Sequence, residues 1–89
     1  VVNIVQNMNN KIKYKNSFAE SLNIKSDLVK DELKYNEIPE WDSIGHMTLI
    51  SKLEEEFNIS METDDIVSFD SFKKGIEILE QNYKINFKG

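Results

Sequence analysis

Asp42-Ser43-Ile44-Gly45-His46-Met47-Thr48-Leu49-Ile50-Ser51-Lys52-Leu53-Glu54-Glu55-Glu56-Phe57 is the stretch on which the fold turns. Asp42 is a good helix N-cap, because its carboxylate can accept from the free backbone N–H groups of a first turn. No proline follows it, and Gly45 is the one breaker in the run. Each residue turns about 100° around a helix. With Ser43 at the origin, Leu49, Ile50, Leu53 and Phe57 fall between about 240° and 340°. That arc predicts the core face, and His46 belongs to it at about 300°. Ile44 and Met47 fall at about 100° and 40°, beside Ser43 and off the core.

Upstream, a first helix is expected from roughly Asn10 to Leu22, with Ile12, Phe18, Ala19 and Leu22 inward. Ile4, Val5 and Met8 would extend the same face, but Asn7, Asn9 and Asn10 weaken that extension by competing for backbone hydrogen bonds. Between Asn23 and Trp41 no period is sustained. A long loop is expected there, pinned to the core by Ile24, Leu28, Val29, Leu33, Ile38 and Trp41, with one helical turn after Ser26. Pro39 bars a helix through Ile38.

Downstream, Ile59 and Met61 anchor a connector, and a short helix starts near Thr63 or Asp64 and ends near Ser68. Asp70 or Ser71 caps a last helix with the stripe Phe72, Ile76, Leu79, Tyr83. Gly75 lies inside it, which costs about 1 kcal/mol relative to Ala and suits a close helix approach. Phe69 and Phe72 are read as core. The predicted fold is all-α: a small four-helix bundle of three main helices and one short one, with a long anchored loop and no strand. Residues 1–9 form an N-terminal extension, 10–83 the domain and 84–89 a tail.

Composition narrows the function. Eighty-nine residues support one small domain with a thin core. The hydrophobic fraction of 39% and charged fraction of 30% suit a soluble globular chain. No cysteine is present, which excludes disulfides, thiolate metal sites and cysteine nucleophiles. The whole net charge of −5 falls after residue 40, and residues 42–65 carry seven acids against Lys52 alone. That balance argues against nucleic acid and for basic protein partners. No apolar run approaches membrane-spanning length, and no signal-peptide pattern is seen, so the expected compartment is the cytoplasm.

The stretch Glu40-Trp41-Asp42-Ser43-Ile44-Gly45-His46-Met47-Thr48-Leu49-Ile50 resembles the acyl carrier protein family. The resemblance continues through Leu53-Glu54-Glu55-Glu56-Phe57-Asn58-Ile59 to residues 64–72, and spans the chain from about residue 18 to residue 79. It implies that Ser43 is the attachment point of 4′-phosphopantetheine, with Asp42 as its motif neighbour. The arm comes from coenzyme A by way of a phosphopantetheinyl transferase, and its thiol carries an acyl or aminoacyl group as a thioester. Further implied partners are an activating ligase and an acyl-transferring enzyme. The Trp41-Asp42-Ser43 form resembles free-standing carriers of specialised pathways more than the housekeeping carrier. Ile44 replaces the usual Leu, Gly45 a common Asp, Thr48 a common Glu, and Ser51 a common apolar residue.

Elementary chemistry agrees with that placement. A helix N-terminus offers unpaired N–H groups and the positive end of the macrodipole to a phosphodiester. The docking face expected around it joins Ile44, Met47 and Ser51 to Glu54, Glu55, Asp64 and Asp65. Asp64, Asp65 and Asp70 lack EF-hand spacing and its glycine, so no metal is expected. Asp42, Ser43 and His46 are triad residue types, but His46 lies on the core arc and reads as a partly buried histidine with a backbone partner. The chain is therefore expected to be a monomeric, non-catalytic carrier. The competing reading is an unmodified helical adaptor that binds proteins.

Overall fold

The computed structural model describes residues 2–87, with side chains from residue 10 onward. Among the described residues four helices follow one another: α1 (Val2–Leu22), α2 (Ser43–Phe57), α3 (Thr63–Ser68) and α4 (Phe72–Tyr83). A single 3-10 turn, Ser26–Leu28, lies in the long connection between α1 and α2. Among the described residues the only sheet-like pairing is one isolated antiparallel bridge, Lys34 to Ser71. The small all-helical bundle expected from the sequence is the fold observed.

α1 is longer than the sequence suggested and faces differently. It starts at Val2 rather than near Asn10, while the side chains of Ile4, Val5 and Met8 lie outside the described residues. Its core stripe is Tyr14, Phe18 and Leu22, spaced four apart, with Ser17 buried beside them. Ile12 is not inward: it is 53% exposed. It stands about 120° around the helix from Phe18, so the two cannot share a face. Ser17 offsets its burial by donating to the Lys13 carbonyl at 2.7 Å.

Tyr14 is the residue the sequence reading passed over. Its ring is fully buried, 5.1 Å from Phe18 and 4.8 Å from Phe72 between centroids. Its hydroxyl donates to the Phe72 carbonyl at 2.6 Å, tying α1 to the start of α4. Gly75 lets this happen, because a Cβ there would collide with the Tyr14 hydroxyl and the Phe69 ring. Burial holds the Tyr14 hydroxyl well above its usual 10.0. Raised in the folded state, it contributes stability that is complete below the unfolded value and lost as pH climbs past it. Thermal midpoints should therefore start to fall once the pH passes about 10, and Tyr14→Phe should blunt that slope.

The long loop is held as expected, with one exception. Val29, Leu33 and Trp41 are buried, and Ile24 and Ile38 pack against the core. Leu28 instead ends the 3-10 turn facing water. The loop is also stitched to the segment that leads into α4. Tyr35 N–H donates to the Asp70 carbonyl, and Phe72 N–H to the Leu33 carbonyl, both at 2.9 Å. Trp41 is 0% exposed and meets Phe18 edge-on at 5.1 Å.

Helix ends follow local chemistry. α2 stops at Asn58, whose left-handed φ of 53° asparagine tolerates well, and Ile59 N–H reaches back to the Glu54 carbonyl at 3.0 Å. Ser71, not Asp70, caps α4, accepting from Lys74 N–H at 3.0 Å. The segment after α4 is more than a loose tail. Ile85 and Phe87 pack on the core, with Phe87 5.4 Å from the Tyr14 ring and 6.1 Å from Phe57.

Candidate functional site

Ser43 is the first residue of α2, and it is exposed. Asp42 just before it is extended (φ −103°, ψ −167°), and its Oδ1 accepts from Gly45 N–H at 2.8 Å. The cap therefore belongs to Asp42, leaving the Ser43 hydroxyl outside the capping contact. Gly45 is required by the turn that presents both residues: a Cβ there would strike the backbone carbonyl of Glu40.

Beside Ser43 lies a groove of about 340 Å³ between α2 and α3. Met47 lines it from α2, Ile66 and Val67 from α3, and His46 and Phe69 lie deeper. Tyr35, Ser43 and Asp70 complete its mouth. Three large apolar side chains around the serine stand in water: Ile44 is 76%, Met47 51% and Val67 77% exposed. The sequence placed Ile44 and Met47 there through the helical angles. Val67 was missed, though a signal exists, since adjacent residues of a short helix cannot both face inward and Ile66 takes the inner side.

His46 is half-buried, as its arc required, and both ring nitrogens are engaged. Trp41 Nε1–H donates to Nδ1 at 3.0 Å. Indole N–H can only donate, so Nδ1 accepts, and Nε2–H is the donor to the Ile66 carbonyl 2.9 Å away. A base for Ser43 would need a ring nitrogen facing the serine, and this arrangement has both committed elsewhere. Asp42 is equally committed, to the α2 cap. Geometry therefore gives no support to a hydrolytic triad.

The acidic residues divide into two groups. Glu54 turns back on its own connector and accepts from Met61 N–H at 2.9 Å. Asp65 accepts from the Tyr83 hydroxyl at 2.7 Å and from Asn82 at 2.9 Å. Tyr83 also accepts from Glu62 N–H at 2.7 Å, which pins the start of α3 to α4. Burial, then the bond to Asp65, raises the Tyr83 hydroxyl above its usual value. Glu55, Asp64 and Ser51 are exposed. Ser51 and Glu55 face a second, polar groove against α1, shared with Glu20, Ser21, Thr48 and Lys52. There Lys52 pairs with Glu20 at 3.1 Å, and its ammonium is held above 10.5, chiefly by that bond.

The structure thus brings Ser43 and Met47 together with Val67 at the groove, leaves Ile44 exposed next to Ser43 but outside the groove lining, and puts Ser51 and Glu55 on the neighbouring α1 side. Among the described residues, no group of three or more His, Asp or Glu side chains could hold a metal ion. Nor is any described helix long and apolar enough to cross a membrane. Searches against protein-family models and curated proteins found no match to this chain.

Proposed function

We propose that this chain is a carrier protein of the acyl carrier kind, bearing 4′-phosphopantetheine on Ser43. The observation that carries the reading is the exposed Ser43 at the start of α2, with its cap supplied by Asp42 and an apolar groove alongside. The residues present fit the group. The serine is exposed, the first-turn N–H groups favour a phosphodiester, and an apolar groove of about 340 Å³ lies alongside. When attached, the arm supplies a thiol that carries an acyl or aminoacyl group as a thioester. Ser43 anchors it, Asp42 keeps the helix start rigid, and Met47, Ile66 and Val67 offer it an apolar wall.

A serine hydroxyl is a poor nucleophile unaided, so the attachment chemistry belongs to a phosphopantetheinyl transferase. The other partners proposed are an activating ligase and an acyl-transferring enzyme, all met in the cytoplasm. Ile44, Met47 and Val67 would form the apolar centre of docking, with Asp64 as acid on α3 and Glu55 as acid further along, on the α1 side of α2. Glu55→Lys with Asp64→Lys should slow loading at low salt and matter less at high salt, because exposed charges are screened over roughly 10 Å at 0.1 M. Loading rates measured across a salt series would check this. Glu54 and Asp65 are poor choices for that reversal, since each already holds the fold together.

The same exposed apolar patch would also suit an adaptor that is never modified. A thiol count separates the two readings, because the chain has no cysteine of its own. After treatment with coenzyme A and a broad-specificity transferase, then desalting, a carrier shows one titratable thiol per chain. An adaptor shows none.

A further inference from the structure

The groove beside Ser43 ends against packed protein, and His46 is what closes it. Its Nδ1 takes the Trp41 indole proton, and its Nε2–H reaches across to the Ile66 carbonyl on α3. One side chain of α2 is thereby fastened both to the loop before it and to the backbone of the helix on the far wall. The ring is wedged as well as bonded. It stacks on Trp41 at 6.1 Å and meets Tyr35 and Phe69 edge-on at 5.4 and 5.8 Å.

Trp41, Phe69, Leu49 and Leu53 are each 0–1% exposed. An alkyl chain passing between α2 and α3 toward them would have to part the His46–Ile66 bond. It would break that part-buried bond and prise the imidazole from the Trp41, Tyr35 and Phe69 rings that hold it. The groove itself offers little spare room. At about 340 Å³ it lies at the low end of sites that enclose a drug-sized ligand, and the arm alone is a ligand of that size. Nor is the mouth suited to a long chain, because Tyr35, Asp70 and Ser43 give it a polar edge.

We propose that His46 is the closing residue of this carrier site: it bolts α3 to α2 and shuts the interior to the carried group, so that an attached acyl or aminoacyl group of any length is left outside the core. This rests on the carrier reading of Ser43. A carried group stays on the surface, where partner enzymes reach it without first drawing it out of the protein.

The test uses whole chains loaded on Ser43 from acetyl-, octanoyl- and myristoyl-coenzyme A by a broad-specificity transferase. Wild type, His46→Ala and His46→Gln are compared by thermal midpoint and by the rate at which hydroxylamine cleaves the thioester. In wild type both readouts should be the same for the three acyl groups. His46→Gln, which keeps an N–H able to reach the Ile66 carbonyl, should behave likewise. In His46→Ala the long chains should raise the midpoint above that of the acetyl form and slow cleavage several-fold. Protection of the octanoyl or myristoyl thioester in wild type overturns the proposal, whether or not His46→Ala folds. So does a folded His46→Ala that remains indifferent to chain length. Failure of every chain to accept any arm overturns the carrier reading itself, and this inference with it.

Discussion

Trp41→Ala should lose about 3–5 kcal/mol of stability, the usual cost of emptying a fully buried large aromatic site. Three effects combine. The indole is 0% exposed and is the largest buried side chain, so its removal leaves a cavity against Phe18. His46 loses the donor to Nδ1, which frees the ring to turn away from Ile66. The loop hydrogen bonds from Asn36 N–H to the Trp41 carbonyl and from Trp41 N–H to the Ile38 carbonyl, at 2.9 and 3.1 Å, lose the side chain that anchors them. For small domains total stability is of order 5–15 kcal/mol, so the loss removes a large share of it and the thermal midpoint should fall steeply. Urea melts of parent and variant measure the difference. Trp41 is the only tryptophan, so emission in the parent should also be that of a dry indole. A variant that melts with its parent would contradict the burial.

Ser43→Ala should do the opposite, leaving stability unchanged while abolishing attachment. The hydroxyl stands in water, and the α2 cap comes from Asp42, so the folding cost should stay within about 0.5 kcal/mol. The functional effect is total, because no other atom can replace the hydroxyl oxygen. Asp42→Ala is the complementary control. It removes the acceptor for Gly45 N–H, which should cost about 0.5–2 kcal/mol, while retaining the nucleophile. Its loading should be slowed rather than lost. A melt and an intact mass for each variant distinguish these outcomes.

The sequence made α2 legible because fifteen residues repeat one apolar period behind a recognisable cap. Orientation then followed from angles, and Ile44, Met47 and His46 all stand where those angles put them. α1 was harder because two apolar sets compete along it. Ile12 lies on one side and Tyr14, Phe18 and Leu22 on another, with Ala19 packed at the edge of the core, and tyrosine's hydroxyl hides its claim to the core until the Phe72 carbonyl is seen to accept from it. The far wall of the groove was illegible for a different reason. Contacts such as His46 to Ile66 and Asp65 to Tyr83 join residues 20 and 18 positions apart along the chain, and no local period encodes them. The Glu54 bond to Met61 is also a turn-specific event that charge counting cannot register.

The central claim is that Ser43 carries an arm, and the most direct measurement is peptide-mapped mass spectrometry of the wild-type chain after treatment with coenzyme A and a broad-specificity transferase. The account predicts the added mass of one phosphopantetheine, confined to the peptide that contains Ser43. An unchanged mass, with several transferases that load other carriers under the same conditions, would contradict it, as would an arm found on any other residue.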